Sequence, residues 1–196
     1  MLVEPKVEIQ RITDLCNKAI RHYKSNHLPR KENEYNWFRR QPSIESAIIN
    51  ATEAKDERGK QYSHQWRIDK NAIREAKTIL LENADDIKKS KSFHHLWLLI
   101  RDLIKPISGI GDLHLYDTAL RNGAFLNLLP DKVYLHAGTR KGAKAINHPE
   151  WKNDWIEIET LPKELKQLSA DEIEDILCIY KGSVVTTGCN LPSKNC

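Results

Sequence analysis

Apolar residues recur at helical spacing along most of this chain. Between residues 7 and 24 they stand at 9, 12, 15, 16, 19, 20 and 23, one face of a helix. A second stripe at 44, 47, 48, 51 and 54 predicts a helix over 43–55, opened by Ser43 or Gln41. Asp69 suits the N-cap of a helix over 70–83 that turns Ile73, Ala76, Ile79 and Leu80 inward. Ser92 caps a helix over 93–105 whose apolar residues wrap almost all round it, which predicts a central position. A helix over 112–128 follows, with Asp112 expected as its cap. Short helices are expected at 139–146 and 161–168, and Ser169-Ala-Asp-Glu172 is a capping box for a helix over 170–180. Residues 26–40, 55–63 and 85–91 read as connecting segments. Strand patterns are confined to 133–135 and 156–158. The expected fold is all-α, a compact multi-helix domain built around the helix pair at 93–128.

Charge divides the chain where the apolar pattern does not. Residues 1–149 carry an excess of eight positive charges and residues 150–196 an excess of four negative ones. That predicts a basic helical body, 1–149, and an acidic helical cap, 150–196, within one domain. A basic body suits a polyanion, although solvated helix faces give the same composition. No apolar run is long enough to span a bilayer, and the start is too polar for a signal peptide, so a cytoplasmic location and no membrane partner are expected. Cysteines 16, 178, 189 and 196 form no C-x-x-C pair; they are expected as thiols, with no metal and no cofactor. The pair His94-His95 points about 100° apart on a helix, which suits packing better than ligation.

The segment with the most chemistry is Ile104-Lys-Pro-Ile-Ser-Gly-Ile-Gly111. Two glycines flank one apolar residue between two helices. Glycine takes positive φ without steric cost, so the pair allows a tight reversal, with Ile110 expected inward as the lock. The amides after Gly109 then open the next helix, where an anion is favoured. A second glycine-rich, basic segment, Gly138-Thr-Arg-Lys-Gly142, opens the helix at 139–146, without the spacing of a P-loop.

The h-x-G-h-G turn resembles the helix-hairpin-helix motif. With Val133-Tyr-Leu-His136 and Arg140 downstream, residues 104–143 are similar to the corresponding part of the base-excision DNA glycosylase superfamily. The resemblance implies a grip on a nucleic-acid backbone by Lys105, Ser108, Gly109, Ile110, Gly111, Arg140 and Lys141. The family's lysine after the second glycine is replaced by Asp112-Leu113-His114, and its aspartate in the V-D-x-H segment by Tyr134. Binding is therefore expected without glycosylase activity.

Two other readings stay open. One is an enzyme acting on DNA bases or nucleotides, with Asp117, Tyr134 and His136 as the catalytic group. The other is a non-enzymatic protein-interaction factor that docks through its acidic end. In the basic half, Trp37 and Phe38 beside Arg39 and Arg40 either clamp nucleic acid or anchor a loop to the core. Arg58, Lys60 and Arg67 gather in the loops that follow.

Overall fold

The computed structural model describes residues 5–63 and 65–182. Among them are nine α-helices and one two-stranded sheet, so the fold is all-α. Contacts divide the chain into residues 1–30 with 131–196, and residues 31–130. This division differs from the charge break at 149/150: charge records what meets solvent, and contacts follow the apolar faces.

The 31–130 unit contains most of α2 (Leu28–Arg39), then α3 (Ile44–Thr52), α4 (Lys70–Glu82), α5 (Ala84–Lys88), α6 (Phe93–Ile104) and α7 (Asp112–Leu126). α7 packs on α3 and α6, and α4 packs on the same two helices. Ile48, Leu80, Leu96, Ile100 and Ile104 are wholly buried between them. The Ser43 and Ser92 hydroxyls accept the N–H groups of Ser46 and His95, so both serines cap as the pattern requires. α2 replaces the expected connector. Pro29 falls in its first turn, where no intrahelical N–H is needed, and Tyr35 and Phe38 are buried. Phe38 and Trp37 meet edge to face at 4.6 Å, so this pair anchors rather than clamps. The connector expected at 85–91 overlaps the short helix α5, which starts one residue earlier, at Ala84.

The other unit joins α1 (Pro5–Asn26) to β1 (Val133–Tyr134), α8 (Ala137–Ala145), β2 (Trp155–Ile156), a 3-10 turn at Ile158–Thr160 and α9 (Ala170–Ile179). β1 and β2 are antiparallel, with Val133 opposite Ile156 and Tyr134 opposite Trp155. The core gathers Ile20, Tyr23, Val133, Ile156, Leu165, Ile173 and Leu177. The helix expected at 161–168 is a run of turns, in which the Pro162 carbonyl accepts from both Leu165 and Lys166. α8 and α9 approach closely because Gly142 has no side chain: a Cβ there would collide with the Leu177 backbone. The Tyr23 hydroxyl donates to Asp175 at 2.7 Å and ties α1 to α9. Residues 183–196, including Cys189 and Cys196, lie outside the described residues. No described helix is long and apolar enough to cross a membrane.

Candidate functional site

The turn between α6 and α7 begins at Pro106. Pro106 lacks the N–H that would continue α6. The chain then reverses through successive short turns, Ile107 N–H to Ile104 carbonyl and Ile110 N–H to Ile107 carbonyl. Gly109 sits at φ +93°, a value L side chains rarely adopt. Gly111 is extended, at φ −95°, and is the N-cap of α7. The inward lock is Ile107, which is buried; Ile110 is only half-buried. α6 ends at Ile104, so Ile107 falls within the first turn of the reversal, its N–H bonded to the Ile104 carbonyl.

Lys105, Ser108, Gly109, Gly111 and Asp112 are all exposed. Asp112 is the first helical residue of α7, not its cap, and no side chain caps that end. The first amides of α7 thus have no side-chain acceptor from the N-cap. The turn rests on the start of α4: a Cβ on Gly109 would lie 3.6 Å from the Ala72 Cβ and 4.0 Å from that of Asp69. The Asp69 carboxylate is occupied as the α4 cap, accepting the Asn71 N–H at 2.6 Å.

Arg140 and Lys141 stand in the other unit, on α8. Arg140 is engaged by the carbonyls of Lys152 and Asn153 and by Asp154, while Lys141 is exposed. The N-terminus of α8 is filled from within, since His136 Nδ1 accepts the Gly138 N–H at 3.2 Å. Gly138 and Gly142 serve close packing: a Cβ on either would meet Cys178 or Leu177 of α9.

Asp117, Tyr134 and His136 each belong to a local network. Asp117 accepts from the Gln65 amide and lies 3.7 Å from the Arg121 guanidinium, all within the 31–130 unit. Arg121 is buried, bonded to Glu34 at 2.7 Å and set over the Tyr62 ring at 4.3 Å. Burial alone would lower the Arg121 pKa, but Glu34 and Asp117 more than offset it and hold the charge. Tyr134 is buried in β1, and burial, aided by Asp131 and Glu157, raises its pKa.

His136 Nε2 lies 2.5 Å from Glu174 Oε1, and the Thr139 hydroxyl donates to the same oxygen at 2.8 Å. With Nδ1 accepting, the neutral ring carries its proton on Nε2, toward the carboxylate. Glu174 is not among the residues that the sequence pattern singles out. Its position between Ile173 and Leu177, both buried, is the signal that marks it as inward.

His136, Glu174 and Cys178 offer ligand atoms within 4.8 Å of one another. Glu174 and Cys178 are one turn apart on α9, as a shared metal requires. Both nitrogens of His136 already make hydrogen bonds, so a metal there would displace either the Gly138 amide or Glu174. The group fits a structural clamp better than an ion site.

No protein-family model, curated protein or solved structure matches this chain.

Proposed function

We propose that this chain binds the sugar–phosphate backbone of DNA through the turn between α6 and α7, in the manner of helix-hairpin-helix proteins and without glycosylase chemistry. The observation that supports this reading is the exposed Ser108–Gly111 turn leading into a 15-residue helix with no side-chain cap. A phosphate oxygen would accept from these amides in place of an N-cap side chain. Lys105 adds a positive charge at the end of α6. Asp112 and Asp69 subtract from the local field, so affinity rests mainly on the amides. It belongs in the non-specific range, with Kd on the order of 10⁻⁵ M at physiological salt. Such contacts position the duplex and carry no sequence information.

The deciding variant is Gly111→Asp. The extended conformation of Gly111 is that of an ordinary N-cap, and nothing lies within 4 Å of a Cβ placed there. The new carboxylate would cap α7 and occupy the amides. The expected result is unchanged or slightly raised thermal stability together with loss of binding to a fluorescent duplex in low salt. A Gly111→Asp protein that binds DNA as well as the parent overturns the reading, and so does a parent that binds no duplex in low salt.

A further inference from the structure

Trp66 is the largest exposed apolar side chain among the described residues. It is 63 % exposed, one of only two large hydrophobic residues described as exposed. Its exposure follows from what holds its neighbours. Gln65 is buried; its amide donates to Asp117 and its carbonyl oxygen accepts from Arg121 at 3.2 Å. Three residues after Trp66, Asp69 is fixed as the cap of α4. The turn at 65–67 is thus pinned on both sides, and the indole is pushed outward on a rigid support. Arg67 lies over the ring at 5.1 Å, a cation held against its π face.

The flanking charge is mixed. Residues 56–75 contain Arg58, Lys60, Arg67, Lys70 and Arg74, all exposed, against Asp56, Glu57, Asp69 and Glu75. This segment leads into the Asp69–Ala72 start of α4, on which the Gly109 turn rests. The Gly109 turn and the segment that carries Trp66 and Arg67 thus both adjoin the start of α4 in the 31–130 unit.

We infer that Trp66 is a stacking platform for an unpaired nucleobase, so that the preferred ligand is single-stranded, or locally unpaired, nucleic acid. This inference rests on the backbone-binding reading and adds what it lacks, a group that contacts bases. In a fully paired duplex the π faces are covered by neighbouring pairs; in a single strand each base has a face to offer. Every base has such a face, so the platform selects for strandedness and not for sequence. The Arg67 guanidinium held against the indole puts a positive charge on the platform itself, which favours a polyanion as the occupant.

Fluorescence anisotropy of labelled strands of about 12 nucleotides tests this, because a site of this kind covers about 4–16. Three probes are compared in low salt: oligo-dT, an abasic strand with the same number of phosphates, and a duplex of the same length. The parent is expected to bind oligo-dT roughly tenfold more tightly than the abasic strand, in line with the worth of one stacked base. Trp66→Ala should erase that preference and leave abasic binding unchanged; Trp66→Phe should keep part of it. Because the side chain is exposed, circular dichroism should show both variants folded. Equal affinity of the parent for oligo-dT and the abasic strand overturns the inference, as does a Trp66→Ala protein that weakens on both alike. Duplex binding should survive Trp66→Ala and fail in Gly111→Asp; if that holds but the parent shows no preference for oligo-dT over the abasic strand, the stacking platform alone is overturned. If none of the three probes binds, the backbone reading falls with it, and Trp66 is left as a contact for a protein.

Discussion

Gly142 of α8 faces the backbone of Leu177 in α9 so closely that a single methyl group would not fit between them. Two effects oppose each other in Gly142→Ala. Alanine favours the helix by about 1 kcal/mol. Overpacking against a backbone that cannot swing aside costs about 1–3 kcal/mol. The collision is with main-chain atoms, so packing wins, and the variant should lose about 1 kcal/mol or more in urea unfolding. A variant as stable as the parent would show that the two helices stand further apart.

The Glu174 carboxylate draws two buried donors, the His136 ring and the Thr139 hydroxyl, onto one oxygen. Glu174→Ala removes the acceptor of both; the His136 ring can still turn to the Thr139 hydroxyl at 2.8 Å, so the variant should cost about 1–3 kcal/mol. Glu174→Gln keeps an acceptor at the same position and should cost clearly less. Equal losses in denaturant titrations of the two variants would mean that the charge matters and the hydrogen bonds do not.

Arg121 holds Glu34 and Asp117 together from a buried position. Arg121→Ala strands two carboxylates that are only partly solvated. Removing one member of a buried ionic group costs about 3–5 kcal/mol. The loss should be visible as a lower chemical-unfolding midpoint, and it should shrink in the Arg121→Ala, Glu34→Gln double variant. Additive losses would show that the two residues do not interact.

His148 lends the fold a pH dependence. Burial lowers its pKa below 6.5, although Glu150 and Thr160 pull the other way. Its Nδ1 accepts the Glu150 N–H at 3.2 Å, which requires that nitrogen to be unprotonated. The unfolded chain therefore takes up the proton first, at the ordinary histidine value. The contribution of His148 is full above pH 6.5 and is lost as pH falls from there toward the lowered folded value. Thermal melts should show stability falling over that window, and the fall should be smaller in His148→Gln. His27, lowered by burial and by its neighbours His22 and Arg30, adds to the effect with the same sign.

Helices with a clean apolar stripe and a capping residue were legible from sequence, and α3, α4, α6 and α9 start where Ser43, Asp69, Ser92 and Ser169 place them. α2 was not, because Pro29 reads as a terminator until one notices that it falls in the first turn. The stripe of α2 is also disguised, since its first buried position is Lys31. Local pattern does not say which of two isoleucines, Ile107 or Ile110, lies under a reversal; that depends on where α6 breaks. The glycines of 138–142 suggested an anion cradle, whereas their spacing serves contact with α9, a partner some 35 residues away that no window of sequence contains. Trp66 stands out for a related reason: its outward direction is set by Gln65 reaching α7, 52 residues on.

The division of the chain has a consequence for how it is made. Residues 31–130 are contiguous, whereas the other unit joins the first 30 residues to the last third of the chain. On the ribosome, α1 emerges about 150 residues ahead of α9, its partner through Tyr23 and Asp175. At typical rates of synthesis that delay is on the order of ten seconds. The middle unit has every residue it needs well before then, so it can fold while α1 still waits for α9.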